Sequence, residues 1–272
     1  MTTADDSASA LIEQLAETWA SIDTLAQTLT PEEWLTPTAC PGWTVADQLS
    51  HLVGTESVLA GHPGPPTEES AEVPDHVRND IGRSNEQWVV RYRQSDPTQL
   101  LADFRKITAE RLEQLRSRSE PEWDEPSWTP VGKSTYRRFM RIRVFDSWVH
   151  EQDMRTAVGK PGHGDGQAAE QSIDEIEGAL GYIVGKRGGA PDGSRVTFEL
   201  TGPVHRTLHV AIEGRGQIVD ALNGPADVTL RLQSDIFAAL ACGRADAAAA
   251  VIEIEGNQEL GRQIATHLAF TI

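Results

Sequence analysis

The chain has 272 residues, enough for one large or two ordinary domains. With 39% hydrophobic residues and a formal net charge of -17 it reads as a soluble globular protein, and the charge repels phosphate backbones and anionic lipid. Nucleic acid is excluded as an expected partner. No apolar run approaches the roughly 18 residues a membrane span needs, and the polar, acidic start Met1 to Ser9 lacks the form of a signal peptide. With just two cysteines, Cys40 and Cys242, the sequence offers no disulfide framework. The expectation is a cytoplasmic protein.

Leu11, Leu15, Ile22, Leu25 and Leu29 recur at helical spacing and predict a first helix over residues 8–29. After the turn Cys40-Pro-Gly-Trp43, Thr44 and Asp47 form a cap for a second helix from Val45 to about Ala60. It buries Leu49, Leu52 and Val53, with His51 about 100° around from Leu52 at the margin of that face. Residues 61–74 read as a loop, and a third helical stretch opens at Pro74-Asp75. Asp96-Pro97 starts a fourth helix, with a cap and proline at its first position. The prolines at 121, 126 and 130 preclude a continuous helix over residues 120–132. A long helix then runs from about Thr135 to Val158 and stops in a glycine-rich segment ending at Gly166.

A further helix is expected over residues 166–185, assignable by sequence to either neighbour. The period then changes: alternating runs at 196–200, 208–212, 217–222, 228–232 and 251–255 predict strands, interleaved with helices at 234–240 and 257–269. The expected organisation is a helical domain over residues 8–160 and a small α+β domain over residues 161–272.

The chemistry concentrates in Arg143-Val-Phe-Asp-Ser-Trp-Val-His-Glu-Gln-Asp153. Arg143, Asp146, His150 and Asp153 step by three and four and form one polar stripe, beside Ile142, Phe145, Trp148 and Val149. Its edge therefore faces the interior, where unpaired charge is costly. Two arrangements satisfy it: salt bridges Arg143–Asp146 and His150–Asp153 along the helix, or a metal ion on Asp146 and His150. His51 is the best third ligand, because it lies beside the apolar face of a well-formed helix. His62, eleven residues on and about 16 Å away along a straight helix, cannot share an ion with it. His76, His163, His205, His209 and His267 read as surface or packing residues. Three protein ligands leave a fourth position open, as in catalytic rather than structural sites. Cys40 reads as part of a packed turn, since nothing in the sequence offers it a base. Gly243-Arg244 is either a helix C-cap followed by a solvated charge or a cation directed at an anionic substrate.

The stretches Cys40-Pro-Gly-Trp-Thr-Val-Ala-Asp-Gln-Leu-Ser-His-Leu52 and Asp146-Ser-Trp-Val-His-Glu-Gln-Asp-Met-Arg155 resemble the mycothiol-dependent maleylpyruvate isomerase family of actinobacteria. The tail around Ala239-Leu-Ala-Cys-Gly-Arg244 and Ile254-Glu-Gly256 is similar to that family's C-terminal domain. The resemblance implies a DinB-like four-helix bundle followed by a small sterol-carrier-like α+β domain. It places the family's metal ligands on His51, Asp146 and His150, the family usually having Glu where Asp146 stands. It further implies a divalent ion, commonly zinc, and mycothiol as a thiol cosubstrate that is transferred to a small electrophile or serves its isomerisation. The resemblance leaves the electrophile open. The competing expectations are a non-catalytic metal- or ligand-binding or regulatory module and, less favoured, a metal-dependent hydrolase. A monomer and a homodimer are both compatible with the sequence.

Overall fold

The computed structural model describes residues 5 to 65 and 74 to 271. It divides into two compact units, the first spanning Asp5–His163 and the second beginning at Gly164.

The first unit is helical. Its elements are α1 (Ala8–Ala26), α2 (Pro31–Trp34), α3 (Val45–Leu59), α4 (Asp80–Tyr92), α5 (Pro97–Ser117), α6 (Glu120–Trp123), β1 (Pro126–Thr129), β2 (Gly132–Thr135) and α7 (Tyr136–Val158). The four long helices close into a ring in the order α1, α7, α3, α5, and α4 packs on α3. The apolar stripes read from the sequence point inward: Leu11, Leu15, Ile22, Leu49, Leu52, Phe104 and Leu115 are all buried. Helix α3 starts where expected, because the Thr44 hydroxyl accepts the Asp47 N–H while the Asp47 carboxylate accepts the Thr44 N–H at 2.9 Å. It runs close against α4 at Gly54, where an added Cβ would lie 2.3 Å from Trp88 Cγ.

One expectation needs correction. The third helix begins at Asp80, not at Pro74, because Asn79 supplies the cap by accepting the Gly82 N–H at 2.8 Å. The proline-rich stretch before α7 folds into the one-turn helix α6 and an antiparallel hairpin, Pro126 pairing with Thr135 and Thr129 with Gly132. Periodicity cannot signal strands of four residues. Most of the expected loop at 61–74 lies outside the described residues.

Buried charge ties the ring together. The carboxylate of Glu56 on α3 accepts from Arg111 Nε of α5 at 3.0 Å and from Arg143 Nε of α7 at 2.8 Å, all three residues being almost fully buried. Arg143 Nη1 continues to Asp146 Oδ2 at 2.7 Å. On another face of α7, fully buried Glu151 accepts from Ser21 of α1 and from Arg155, and receives His163 Nδ1 at 2.6 Å. The His163 carbonyl in turn accepts Trp148 Nε1 at 2.8 Å, so the segment after α7 is fastened back along the helix.

The second unit contains α8 (Gly166–Tyr182), which continues as one π-helical turn over Ile183–Arg187, then β3 (Arg195–Thr201), β4 (Arg206–Glu213), β5 (Arg215–Val219), β6 (Val228–Gln233), α9 (Ser234–Ala241), β7 (Glu253–Gly256) and α10 (Gln258–Thr266). The sheet order is β5-β4-β3-β6-β7, with β3 and β6 parallel and the other pairs antiparallel, so the sheet is mixed. Alternation sends Val196, Phe198, Leu200, Leu208, Val210, Leu230 and Leu232 to one buried face. Helix α8 and residues from α9 and α10 pack on this sheet. Among the described residues no helix is long and apolar enough to cross a membrane.

Two predictions follow from these charge clusters. Replacing Glu56 by Ala leaves the buried Arg111 guanidinium without a carboxylate and Arg143 with Asp146 alone, and is expected to cost about 3–5 kcal/mol in urea unfolding; a loss below about 1 kcal/mol would show that the cluster does not hold the bundle. Burial lowers the His163 pKa, but the hydrogen bond and charge of Glu151, with Glu17, raise it overall. The stabilisation is thus complete below the ordinary histidine value of about 6.5 and is lost as pH rises through the raised value. The stability gap between wild type and His163→Gln should therefore narrow as pH climbs above about 6.5, as read by thermal unfolding over a pH series.

Candidate metal centre

Helices α3 and α7 lie side by side, and their inward polar residues meet. Asp146 and His150 sit one turn apart on α7, as the stripe predicts, and His51 comes from α3. His51 Nε2 lies 3.2 Å from Asp146 Oδ2, and His150 Nε2 lies 3.7 Å from Asp146 Oδ1. The two imidazoles meet edge to face, with ring centroids 4.5 Å apart. One donor atom from each of the three residues falls within 4.8 Å of the others. Both histidines are buried, whereas the Asp146 side chain keeps 27% of its surface, so the cluster opens on the carboxylate side.

This donor set fits a borderline divalent ion. Tetrahedral zinc with bonds of about 2.0–2.1 Å needs ligand atoms about 3.3 Å apart; His51 lies 3.2 Å from one Asp146 oxygen and His150 3.7 Å from the other, and one donor atom from each residue falls within 4.8 Å of the rest, a spacing that a modest side-chain adjustment closes. Two imidazoles and one carboxylate are the ligand types expected for such an ion, and three of them leave one position for a reactant. The shorter side chain of Asp146, where the family usually has glutamate, reaches His51 Nε2 at 3.2 Å.

The electrostatics polarise the cluster. Burial raises the Asp146 carboxyl, but Arg143, His51 and His150 outweigh it and hold the group well below the usual carboxylate range. Burial pushes the His51 pKa down, and the neighbouring His150 and Arg143 add to this against the opposing pull of Asp146. At neutral pH His51 is therefore uncharged. For His150 burial also acts downward, yet Asp146, Asp153 and Cys40 together raise it well above the ordinary value.

The salt bridges of the stripe form, and two of its members also join the donor cluster. Arg143 pairs with Asp146, and His150 Nδ1 lies 3.5 Å from Asp153 Oδ2, while Asp146 and His150 also converge on His51. The stripe is far more buried than a half-exposed salt-bridge strip, since Arg143, His150 and Asp153 are all in the interior. Cys40 gains what the sequence did not offer it, because its Sγ donates to Asp153 Oδ2 at 3.3 Å. The partner lies 113 positions away, beyond any local pattern.

Several contributors were not legible. Trp43 stands beside both histidines, its ring 5.4 Å from His51 and 6.1 Å from His150. Its Nε1 donates to Glu86 Oε2 at 3.0 Å, an oxygen that also meets His76 Nε2 at 3.0 Å. Gln48, one turn before His51, reaches His150 Nδ1. The one available signal was that Gln48 and Glu56 fall on the α3 surface turned toward other helices.

The remaining candidates lie elsewhere. His62 pairs with Glu110, His209 with Thr197, and His267 with the Gln263 carbonyl. Trp123 is fully buried against Tyr136, while Trp128 is exposed. Gly243 adopts φ 68° after α9, and Arg244 Nη1 donates to the Cys242 carbonyl at 2.9 Å, the geometry of a helix C-cap.

Comparison with known proteins places this architecture. The model of the mycothiol maleylpyruvate isomerase N-terminal domain matches residues 15–155, and that of the MDMPI C-terminal domain matches residues 170–263. A crystal structure of the mycothiol-dependent maleylpyruvate isomerase superposes with a TM-score of 0.64 at 16% identity, covering 94% of this chain and 96% of that one. A histidine-to-alanine variant of the isomerase gives a TM-score of 0.60, also at 16% identity, covering 90% of this chain and 93% of that one. At such identity the likeness shows the fold. An uncharacterised protein of Mycobacterium tuberculosis is 25% identical over 143 residues, so the match spans 51% of this chain and about half the relative's length, 52%. With both domain models matched in order along the sequence, the chain belongs to the mycothiol-dependent maleylpyruvate isomerase family.

Proposed function

We propose that this chain is a metal-dependent enzyme that uses a low-molecular-weight thiol, mycothiol, either transferring it to a small electrophilic substrate or using it to isomerise one. The observation that carries the reading is the convergence of His51, Asp146 and His150 from two helices into one donor cluster with an open carboxylate side. Membership of a mycothiol-dependent family supports mycothiol as that thiol.

In this reading His51 Nε2, His150 Nε2 and an Asp146 oxygen hold a divalent ion, most simply zinc. Such an ion, when bound, supplies a Lewis acid that lowers the pKa of a thiol into the neutral range. The protein's own groups do the rest. In the metal-free protein both Nε2 atoms face the Asp146 carboxylate; a bound ion would take that place, with the Nε2 proton of charged His150 released and the single proton of neutral His51 carried on Nδ1, beside Thr55 Oγ1. Arg143, anchored by Glu56, holds Asp146 ionised and in place. Trp43 stands on one side of the two histidines as an apolar wall that limits water.

The test is metal content by mass spectrometry on protein purified without chelator or affinity metal, together with turnover of a panel of electrophiles with and without mycothiol. The expected result is one equivalent of metal in wild type, lost in His51→Ala and Asp146→Ala, and mycothiol-dependent turnover reduced at least ~100-fold in both variants. Turnover independent of thiol would instead indicate a hydrolase. A protein that stays empty after supplementation with zinc, nickel and manganese, and that turns nothing over, would be a binding module.

A further inference from the structure

His150 has two ring nitrogens in different surroundings. Nε2 faces Asp146 and His51, while Nδ1 faces Gln48 Oε1 at 2.5 Å and Asp153 Oδ2 at 3.5 Å. Gln48 is fully buried and its amide is oriented from behind: Nε2 donates to Thr38 Oγ1 at 2.7 Å. That hydroxyl gives its hydrogen to the Trp43 carbonyl at 2.9 Å and accepts the Cys40 N–H at 3.2 Å. With its hydrogen committed, Thr38 can only accept from Gln48, so the amide nitrogen points to Thr38 and the amide oxygen to His150. An oxygen at Nδ1 requires a proton on Nδ1. The lone pair of the neutral ring is then on Nε2.

We infer that Gln48, seated by Thr38, and Asp153 are positioning residues: they hold the Nδ1 proton of His150 and so present its Nε2 to His51 and Asp146. The inference rests on the metal reading above and deepens it. Imidazole ligands commonly donate their second N–H to an oxygen acceptor, which fixes the tautomer and ring angle and raises ligand basicity. Here two acceptors converge on that N–H from different helices, Gln48 from α3 and Asp153 from α7. Cys40, His150 and Asp153 also bring donor atoms within 4.8 Å of one another, a second cluster able in principle to take an ion. Against that use, Nδ1 is committed to Gln48 and the Cys40 thiol to Asp153, so the Nδ1 side supports the ligand and does not compete for the metal.

The test combines nitrogen-15 NMR of the His150 ring, on zinc-loaded protein and on metal-free protein at a pH where the ring is neutral, with zinc affinity by chelator competition. In wild type the proton should reside on Nδ1 in both states. Gln48→Leu should release that preference and weaken zinc binding roughly 10–100-fold, while Gln48→Glu, which keeps an acceptor oxygen, should restore both. Asp153→Asn should weaken zinc binding in the same direction. A merely structural defect would lower the melting temperature of metal-free Gln48→Leu without moving the tautomer, and that result would overturn the inference. So would a ring proton on Nε2 in wild type, or unchanged tautomer and affinity in Gln48→Leu. A thiolate-to-cobalt charge-transfer band that survives His51→Ala and disappears in Cys40→Ser would also overturn it, by placing the ion on the Nδ1 side. If wild type binds no zinc, the proposed function fails, and the metal-free spectra still decide which nitrogen the buried amide protonates.

Discussion

The buried run of alternating charge from Arg111 through Glu56 and Arg143 to Asp146 is the constraint on which the bundle and its polar centre both depend. Three almost fully buried charged side chains, with Asp146 at the open end of the run, are costly unless each finds its counterpart, which favours the packing of α3, α5 and α7 that pairs them. That arrangement carries His51, on the same helix as Glu56, to within 3.2 Å of Asp146. A bundle held by apolar contacts alone could slide by a fraction of a turn at little cost. The charge run forbids the slide and thereby sets the distances in the donor cluster.

The same constraint explains the asymmetry of the site. Asp146 is restrained by a guanidinium on one side and faces two imidazoles on the other, which keeps it ionised despite partial burial. His51 is uncharged and His150 is drawn toward its charged form, so two identical side chains a few ångströms apart differ in protonation because their neighbours differ. Around them, Gln48, Thr38, Asp153 and Cys40 form a hydrogen-bonded backing in which nearly every donor has an acceptor. A polar network buried this deeply stabilises one geometry and penalises others, the property a ligand set requires.

The second unit follows a different logic. Its mixed sheet is specified by two-residue alternation, with one face given to aliphatic and aromatic side chains except at Arg206, which pairs with Glu170 and Asp174 of α8, and the other bearing polar pairs such as Arg231 with Glu199 and Thr197 with His209. The close approach of α8 to β5 at Gly181 and Gly216, where an added Cβ would come within 2.5 Å of the opposing backbone, shows how narrowly that packing is set. Membership of the isomerase family accounts for the order of the two units along the chain.

By itself the sequence determined the long helices apart from the start of α4, the caps at Thr44 and Asp96, the change of period near residue 195 and the one-turn spacing of Asp146 and His150, because these depend on neighbours within a turn or two. It also carried the family resemblance in the stretches around His51 and Asp146. What only the tertiary structure decided was every relation across the bundle: that Glu56 bridges two arginines, that Trp43 stands beside both histidines, that Cys40 meets Asp153, and that Gln48 faces His150. Gln48 and Glu56 look in sequence like ordinary polar residues of a capped helix. A local pattern records which face of an element is apolar, whereas hydrogen bonds between residues about a hundred positions apart exist only after the helices have packed.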